Sequence, residues 1–559
     1  MNVLLKLTVR VFLIMLTMTG FAQPMDSVFL PDVFIEAIKS KQSVVIENAI
    51  IWDDDRYTHY GRPPVPLSAY IKQKLSDDEM ELDSMERIKL PQIRIKNSTI
   101  SRRLIIHGFN VTYLAIEENK GEHMSLENIH IDSMAQINNN QLDIIEIENS
   151  SFGISAYWVS NTASRLSLYD CVFNGYVRLG GNEVGSISIS SNIFNPTPNS
   201  PVYPAGLMYF HIPEKEFWMK VQPEIPLSSY QYFWEPSDKT YGRKVSFNTQ
   251  LHIKASRDEN QSVSIALHDN QFKQDTSTSK VKIEVDHITD LSIENNRFES
   301  SLDLSQSVTS DRIWINGNQF LAHVAFNGFV FSETFNHIDW LQLEGFKLIS
   351  FLGTHSDHYK AENSLELEDR IQYKNLISTY KKLYNIYTDE GDLEGRNGVY
   401  EEMKEIESRK LKHIFMNEGG FKNLFAWGLN RLLKIYTAHG TDPALAVLMS
   451  SYMILAFAVF YFFFPSDWDT MSKKKLLENF KKLVKRNEHG YFVPFVQLAS
   501  GVLVSLFNAL MLSINAFVTL GFGNIPTKGF GKYICIIQGF LGWFLLSIFT
   551  VALINQVLG

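Results

Sequence analysis

Two clusters in this chain concentrate side chains able to hold a metal or move protons. They are Asp53, Asp54 and Asp55 with His59, and His355 with Asp357 and His358. Such groups do chemistry only when a fold converges them on one point. The first cluster reads as a solvated turn near the start of a domain. The second is closely spaced, but no third ligand can be placed for it. Enzyme activity is therefore not expected, nor a structural metal or cofactor. Cys171 and Cys535 lie far apart in regions of opposite polarity, so no disulfide framework is expected. A third stretch, Thr519-Leu520-Gly521-Phe522-Gly523-Asn524, places two glycines between long apolar runs. In its plainest reading it is a Gly-Pro loop, ending at Pro526, that joins two membrane helices.

The elements that would position these residues fall into two phases. The chain has 559 residues, enough for three or four units. Its average hydropathy of −0.09 hides a polar, mixed part up to about residue 440 and a final part that holds nearly every long apolar run. A net charge of −9, from 61 acidic and 52 basic residues, argues against nucleic acid as a partner, because neutralising phosphates needs a basic surface. The lipid bilayer is the expected partner.

Residues 1–22 have the layout of a cleavable signal peptide. Lys6 and Arg10 precede an apolar run from Val11 to Met18, and Gly20 and Ala22 stand just before Gln23. That run is too short to cross a bilayer of about 30 Å. Export of the segment that follows is the consequence.

Between Ile93 and Phe320 one pattern recurs: two apolar residues spaced by two, then a turn-forming residue, then an apolar residue three further on. Copies begin at Ile93, Ile145, Leu166, Ile187, Ile265, Leu291 and Ile313. Their turn position holds Asn97, Asn149, Asp170, Ser191, Asp269, Asn295 or Gly317, and Ile100 or a phenylalanine closes each one. Successive starts differ by 52, 21, 21, 78, 26 and 22 residues, which reads as rungs of 21 to 26 residues with some rungs degenerate. Period-two alternation calls for strands, and Asn or Asp supplies the turns. Stacking such coils buries an apolar face that one coil alone cannot bury. The pattern resembles the right-handed parallel β-helix family, and residues 23–350 are expected to form an exported, all-β domain of that kind. An irregular insertion rich in Pro, Tyr and Trp, from about Asn195 to Lys244, offers a place for a ligand, unknown or glycan.

Helical spacing takes over after residue 363. Two helices, ending near Gly391 and Gly419, are expected to form an antiparallel neck hairpin, followed by a juxtamembrane helix from Phe421 to Ala438, so that residues 363–440 connect the exported domain to the bilayer. Residues 441–465 hold the first span, Ala444 to Phe464. Residues 466–490 carry Lys473, Lys474, Lys475, Lys481, Lys482, Lys485 and Arg486, an amphipathic basic segment of the kind that stays in the cytoplasm. Residues 491–559 add two more apolar runs, Tyr491 to Phe507 and Tyr533 to Leu558.

The stretch from Asn508 to Pro526 between those runs resembles the pore loop of potassium channels, whose filter reads Thr-x-Gly-Tyr-or-Phe-Gly and usually continues with Asp. Asn524 replaces that Asp, and Val518 stands where a second Thr is common. The resemblance implies an outer helix at Tyr491–Phe507, a pore helix at Asn508–Val518, a filter of Thr519, Leu520, Gly521, Phe522, Gly523 and Asn524, and an inner helix with Gly539 or Gly542 as a gating hinge. It implies K+ on the carbonyls of Thr519, Leu520, Gly521 and Phe522, and a homotetramer to close the ring. Gly521 and Gly523 tolerate the dihedrals that aim successive carbonyls one way. No run carries Arg or Lys at every third position, so a voltage sensor is not expected. Export, the basic segment and alternating spans together place the filter mouth outside, in a bacterial inner membrane with the first domain periplasmic. The rival expectation is a membrane-anchored β-helix protein that binds or processes surface glycans.

Overall fold

The computed structural model describes residues 25–52, 65–77, 87–195, 207–212, 215–220, 249–255, 263–273, 280–350, 365–464, 468, 474, 477, 478, 480, 481, 492–519, 527 and 529–558. The chain divides into two compact units between Glu390 and Gly391.

The first unit is a parallel β-solenoid of about eleven coils. Along each strand alternate residues point inward; in Gln141–Glu148, Ile145 and Ile147 are fully buried while Glu148 is exposed. Six of the seven repeat starts stand in register as direct partners: Ile145, Leu166, Ile187, Ile265, Leu291 and Ile313. Ile187 pairs with Ile265 directly, so the interval of 78 is a single coil with an insertion, not three coils with degenerate middles. Within that insertion Leu207–Ile212 and Lys215–Lys220 form an antiparallel hairpin. Ile93 belongs to a different sheet, where it pairs with Leu114 and, through it, with Ala135. Each coil carries the motif at more than one corner, so a start on one sheet was aligned with starts on another.

The turn residues do what their types suggest. Asn97, Asn149, Asp170, Ser191, Asp269 and Asn295 have φ between 46° and 57°, and Gly317 has φ 66°. Asn and Asp tolerate this left-handed region better than most residues. The backward kink turns the next side chain inward. These next residues are Ser98, Ser150, Cys171, Asn192, Asn270, Asn296 and Asn318, all buried. Asn270 Nδ2 donates to Ile189 O at 2.8 Å and to Asn296 Oδ1 at 2.9 Å, while its Oδ1 accepts from the Asn192 backbone N–H. A second ladder runs through Asn119, Asn140, Asn161 and Asn182. These ladders satisfy backbone groups that the turns would otherwise strand in an apolar interior. Cys171 takes an asparagine's place, with Sγ 3.2 Å from Tyr169 O, and burial pushes its thiol up to about 12. It is an inert core residue.

The closing phenylalanines form one stack. Phe152, Phe173, Phe194, Phe272, Phe298 and Phe320 lie 4.7 to 5.0 Å apart between ring centroids, the spacing of neighbouring strands. Phe272→Ala is expected to destabilise the protein by about 3–5 kcal/mol, because both Phe194 and Phe298 lose a stacked face and the rigid coils cannot collapse into the gap. Thermal unfolding followed by far-UV circular dichroism checks this. Leu321→Ala, at a side chain 63% exposed, should shift stability by less than about 0.5 kcal/mol.

Both ends of the solenoid are closed by helices. α1 (Leu30–Ser40) buries Leu30, Phe34 and Ala37, with Phe34 packed 4.9 Å from Phe109. α2 (Leu67–Asp77) buries Leu67, Ile71 and Leu75. At the far end a short α3 (Leu365–Glu368) leads into α4 (Arg370–Glu390), which buries Leu376, Tyr380, Leu383 and Tyr387. Trp340 meets Tyr380 and Tyr387 edge-on at 6.4 Å, and Lys382 Nζ donates to Phe329 O. Capping of this kind protects strand edges that would otherwise pair with other chains. The two helices expected as a neck hairpin fall in different units: α4 caps the solenoid, and α5 (Leu393–Glu418) starts the second unit.

In the second unit α5 lies beside α6 (Phe421–Thr437), tied by Glu405 to Arg431 and Lys434. α6 leaves Phe421, Leu424, Phe425 and Ile435 exposed and carries Lys422, Arg431 and Lys434. Three helices follow: α7 (Pro443–Phe462), α8 (Phe492–Thr519) and α9 (Phe530–Leu558). All three contain segments long and apolar enough to cross a bilayer.

Candidate pore-loop site

α7 starts at a well-formed cap. Asp442 accepts a hydrogen bond from the Leu445 N–H, and Pro443 occupies the first turn, where its missing donor costs nothing. Its twenty residues carry no charge, so it can remain in lipid throughout.

α8 is one continuous helix from Phe492 to Thr519, which changes the expected assignment. The outer helix expected at Tyr491–Phe507 and the pore helix expected at Asn508–Val518 belong to the same rod. The two parts differ in surroundings. In the first, Phe495, Leu503 and Phe507 are 55–60% exposed; in the second, Ala509, Leu512, Ser513, Ala516 and Phe517 are buried. The second part is wedged between α7 and α9. Hence α7 and α9, rather than Tyr491–Phe507, pack against the residues expected as the pore helix.

The contacts fix the direction of every helix. Near one end, Phe464 at the foot of α7 faces Phe530 at the start of α9, with ring centroids 6.5 Å apart. Further in, Tyr461 packs in one cluster with Ala509, Leu512 and Cys535. Next, Ser513 Oγ donates to Ile454 O at 2.7 Å, and Gln538 Nε2 donates to Ser513 O and Oγ. Deepest, Phe517 clusters with Ala446 and Leu545. Sequence numbers rise along α8 and α9 together and fall along α7. α8 and α9 are therefore parallel, and α7 is antiparallel to both.

Two helices joined by a short segment and pointing the same way require that segment to double back. Thr519 ends α8 near the level of Gly542, whereas α9 begins at Phe530, twelve residues earlier and so about 18 Å away along the axis. The ten residues 520–529 reach at most about 33 Å, enough for one return pass. Leu520, Gly521, Phe522, Gly523 and Asn524 lie outside the described residues; Thr519 is the last residue of α8. The C-terminal carbonyls of α8, which carry the negative end of the helix dipole, thus finish inside the bundle.

A polar clamp holds the wedge. Gln538 is fully buried; it accepts from Tyr461 Oη at 2.8 Å and donates to Ser513. In lipid every such group must find a partner within the protein. Sequence reading missed this clamp, although Gln538, set among Ile536, Ile537, Gly539 and Phe540 in an apolar helix, is the signal that could have found it. Both proposed hinge glycines lie inside the uninterrupted α9 and are buried. Gly542 sits where the backbone of α8 passes: a Cβ there would stand 2.1 Å from Phe517 O.

On the solenoid, one sheet row aligns Tyr157, Arg178, His252 and Lys282. Burial, then the charge of Lys282, pushes the His252 imidazole down to about 4, so it is neutral at pH 7. Burial alone would raise Glu284, but hydrogen bonds from Lys254 and Lys282 outweigh it and hold the carboxyl at about 2. Glu284 thus already supplies the anion beside Lys282 and Lys254. The aspartate cluster at 53–55 with His59, and His355, Asp357 and His358, lie outside the described residues. No protein family, curated protein or solved structure was found to match this chain.

Proposed function

We propose that the chain is one subunit of a homotetrameric, potassium-selective channel of a bacterial inner membrane, with the β-solenoid as an exported domain that acts on its gate. The observation that carries this reading is the parallel packing of α8 and α9, with Thr-Leu-Gly-Phe-Gly on the segment that must return between them. A segment that dips into a bundle and returns is tolerated at membrane depth only where it is buried in protein or lines a water-filled path. In this reading the carbonyls of Thr519, Leu520, Gly521 and Phe522 replace the water of a dehydrated K+, and four copies complete each ring. The buried end of α8 adds its negative dipole to the same point. Asn524 in place of a carboxylate lowers the charge at the mouth without touching the carbonyls. No enzymatic step is proposed.

The test is single-channel recording of the purified full chain in planar bilayers with opposed KCl and NaCl gradients. A reversal potential near that of potassium is expected. Bilayers that remain silent at every voltage and lipid composition tried would end this reading. A second reading, a membrane-anchored solenoid that binds or processes surface glycans, has the aligned Tyr157 and Arg178 of that row as its support. It would show as glycan binding by the full chain with no conductance.

A further inference from the structure

We infer that this pore is inverted relative to the arrangement expected from three alternating spans: the return loop opens toward the cytoplasm, and the C-terminus lies on the exported side with the β-solenoid. The inference rests on the channel reading for its meaning, but its geometry comes from helix directions alone. α7 and α9 are antiparallel, so the beginning of α7 and the end of α9 share one face of the bilayer. α8 enters from the opposite face and, running parallel to α9, is followed by a segment that returns to that face. The count of crossings between Pro443 and Leu558 is therefore even in effect, not odd.

Two independent features orient the bundle. The basic residues Lys473, Lys474, Lys475, Lys481, Lys482, Lys485 and Arg486 follow in sequence the end of α7, and that end of α7 lies beside the start of α9. Lys and Arg near a span are retained in the cytoplasm. Separately, the signal peptide expected at residues 1–22 would export what precedes α7, and among the described residues no other helix ahead of α7 is long and apolar enough to cross. Both place the end of α7 inside. With α8 and α9 parallel, the mouth of the return loop is then cytoplasmic. The far end of α9, where inner helices would converge in a tetramer, lies in the compartment of the solenoid.

The experiment attaches reporters to the C-terminus of the full chain after Gly559. Alkaline phosphatase, active only after export, should be active there, and green fluorescent protein, which does not fluoresce when exported unfolded, should be dark. Single cysteines test the same point without a fusion. In intact cells a membrane-impermeant maleimide should label Val557→Cys, and should label Glu488→Cys only after the inner membrane is opened; native Cys171 and Cys535 are buried. A fluorescent C-terminal fusion with Val557→Cys protected would overturn the inference, as would labelling of Glu488→Cys in intact cells. Potassium currents from a protein with a cytoplasmic C-terminus would defeat the orientation alone. An external C-terminus on a non-conducting protein would defeat the channel reading alone.

Discussion

Full-length protein carrying Gly521→Asp is expected to pass no potassium, with flux reduced to that of empty liposomes, while helicity and assembly are unchanged. The proposed filter works by aiming successive peptide carbonyls at an axis, and the required dihedrals are ones that glycine adopts freely and other residues resist. Aspartate adds a side chain at the narrowest place and, in a tetramer, a ring of carboxylates that would trap a cation instead of releasing it. Conduction needs binding that is strong enough to admit the ion yet weak enough to let it leave. Asn524→Asp is the informative control, because it introduces the carboxylate usual in potassium channel filters and should preserve flux. Potassium uptake into liposomes under a potassium gradient measures both. Undiminished flux in Gly521→Asp would mean that any conduction observed takes another route.

The second large effect is expected at Gly542. A Cβ at this position would lie 2.1 Å from the Phe517 carbonyl oxygen and 2.8 Å from its carbon, both backbone atoms near the end of α8. Side chains can swing aside, but a helix backbone has to move bodily. Gly542→Leu should therefore push α8 away from α9, pulling Ser513 off Gln538, and should lower stability by several times the roughly 1–3 kcal/mol typical of an overpacked core. Flux should be lost with it. Gly542→Ala separates two roles for this glycine. If it permits close packing, alanine lowers thermal stability as well as conduction. If it serves as a hinge, alanine leaves stability alone and changes only the time spent open. Thermal unfolding in detergent beside single-channel recording distinguishes them, and the geometry predicts the first outcome.

Much of the solenoid was legible because its information is local. Period-two alternation sets which side chains enter the core, and Asn149, Asp170, Asp269 and Asn295 mark the left-handed turns by residue type alone. The phenylalanine stack was visible as a recurring closing position. The asparagine ladder, one residue past each turn, was not read, since a buried Asn is recognisable only once the next coil supplies its partner. The sheet to which Ile93 belongs was likewise misassigned, because strands on different faces of a coil share one alternation. The capping role of α4 depended on Tyr380 and Tyr387 meeting Trp340, a contact between residues some forty positions apart.

Sequence alone determined that this protein is a stack of β-coils followed by three apolar helices, because burial periodicity, turn chemistry and the length needed to cross lipid are properties of short segments. Only the tertiary structure decided which way the last helices run. An apolar helix looks the same to lipid in either direction, so its sense is set by a few contacts across the bundle: Tyr461 and Ser513 on Gln538, and Phe517 against Gly542. Those contacts turn a loop between two helices into one that must retrace its path.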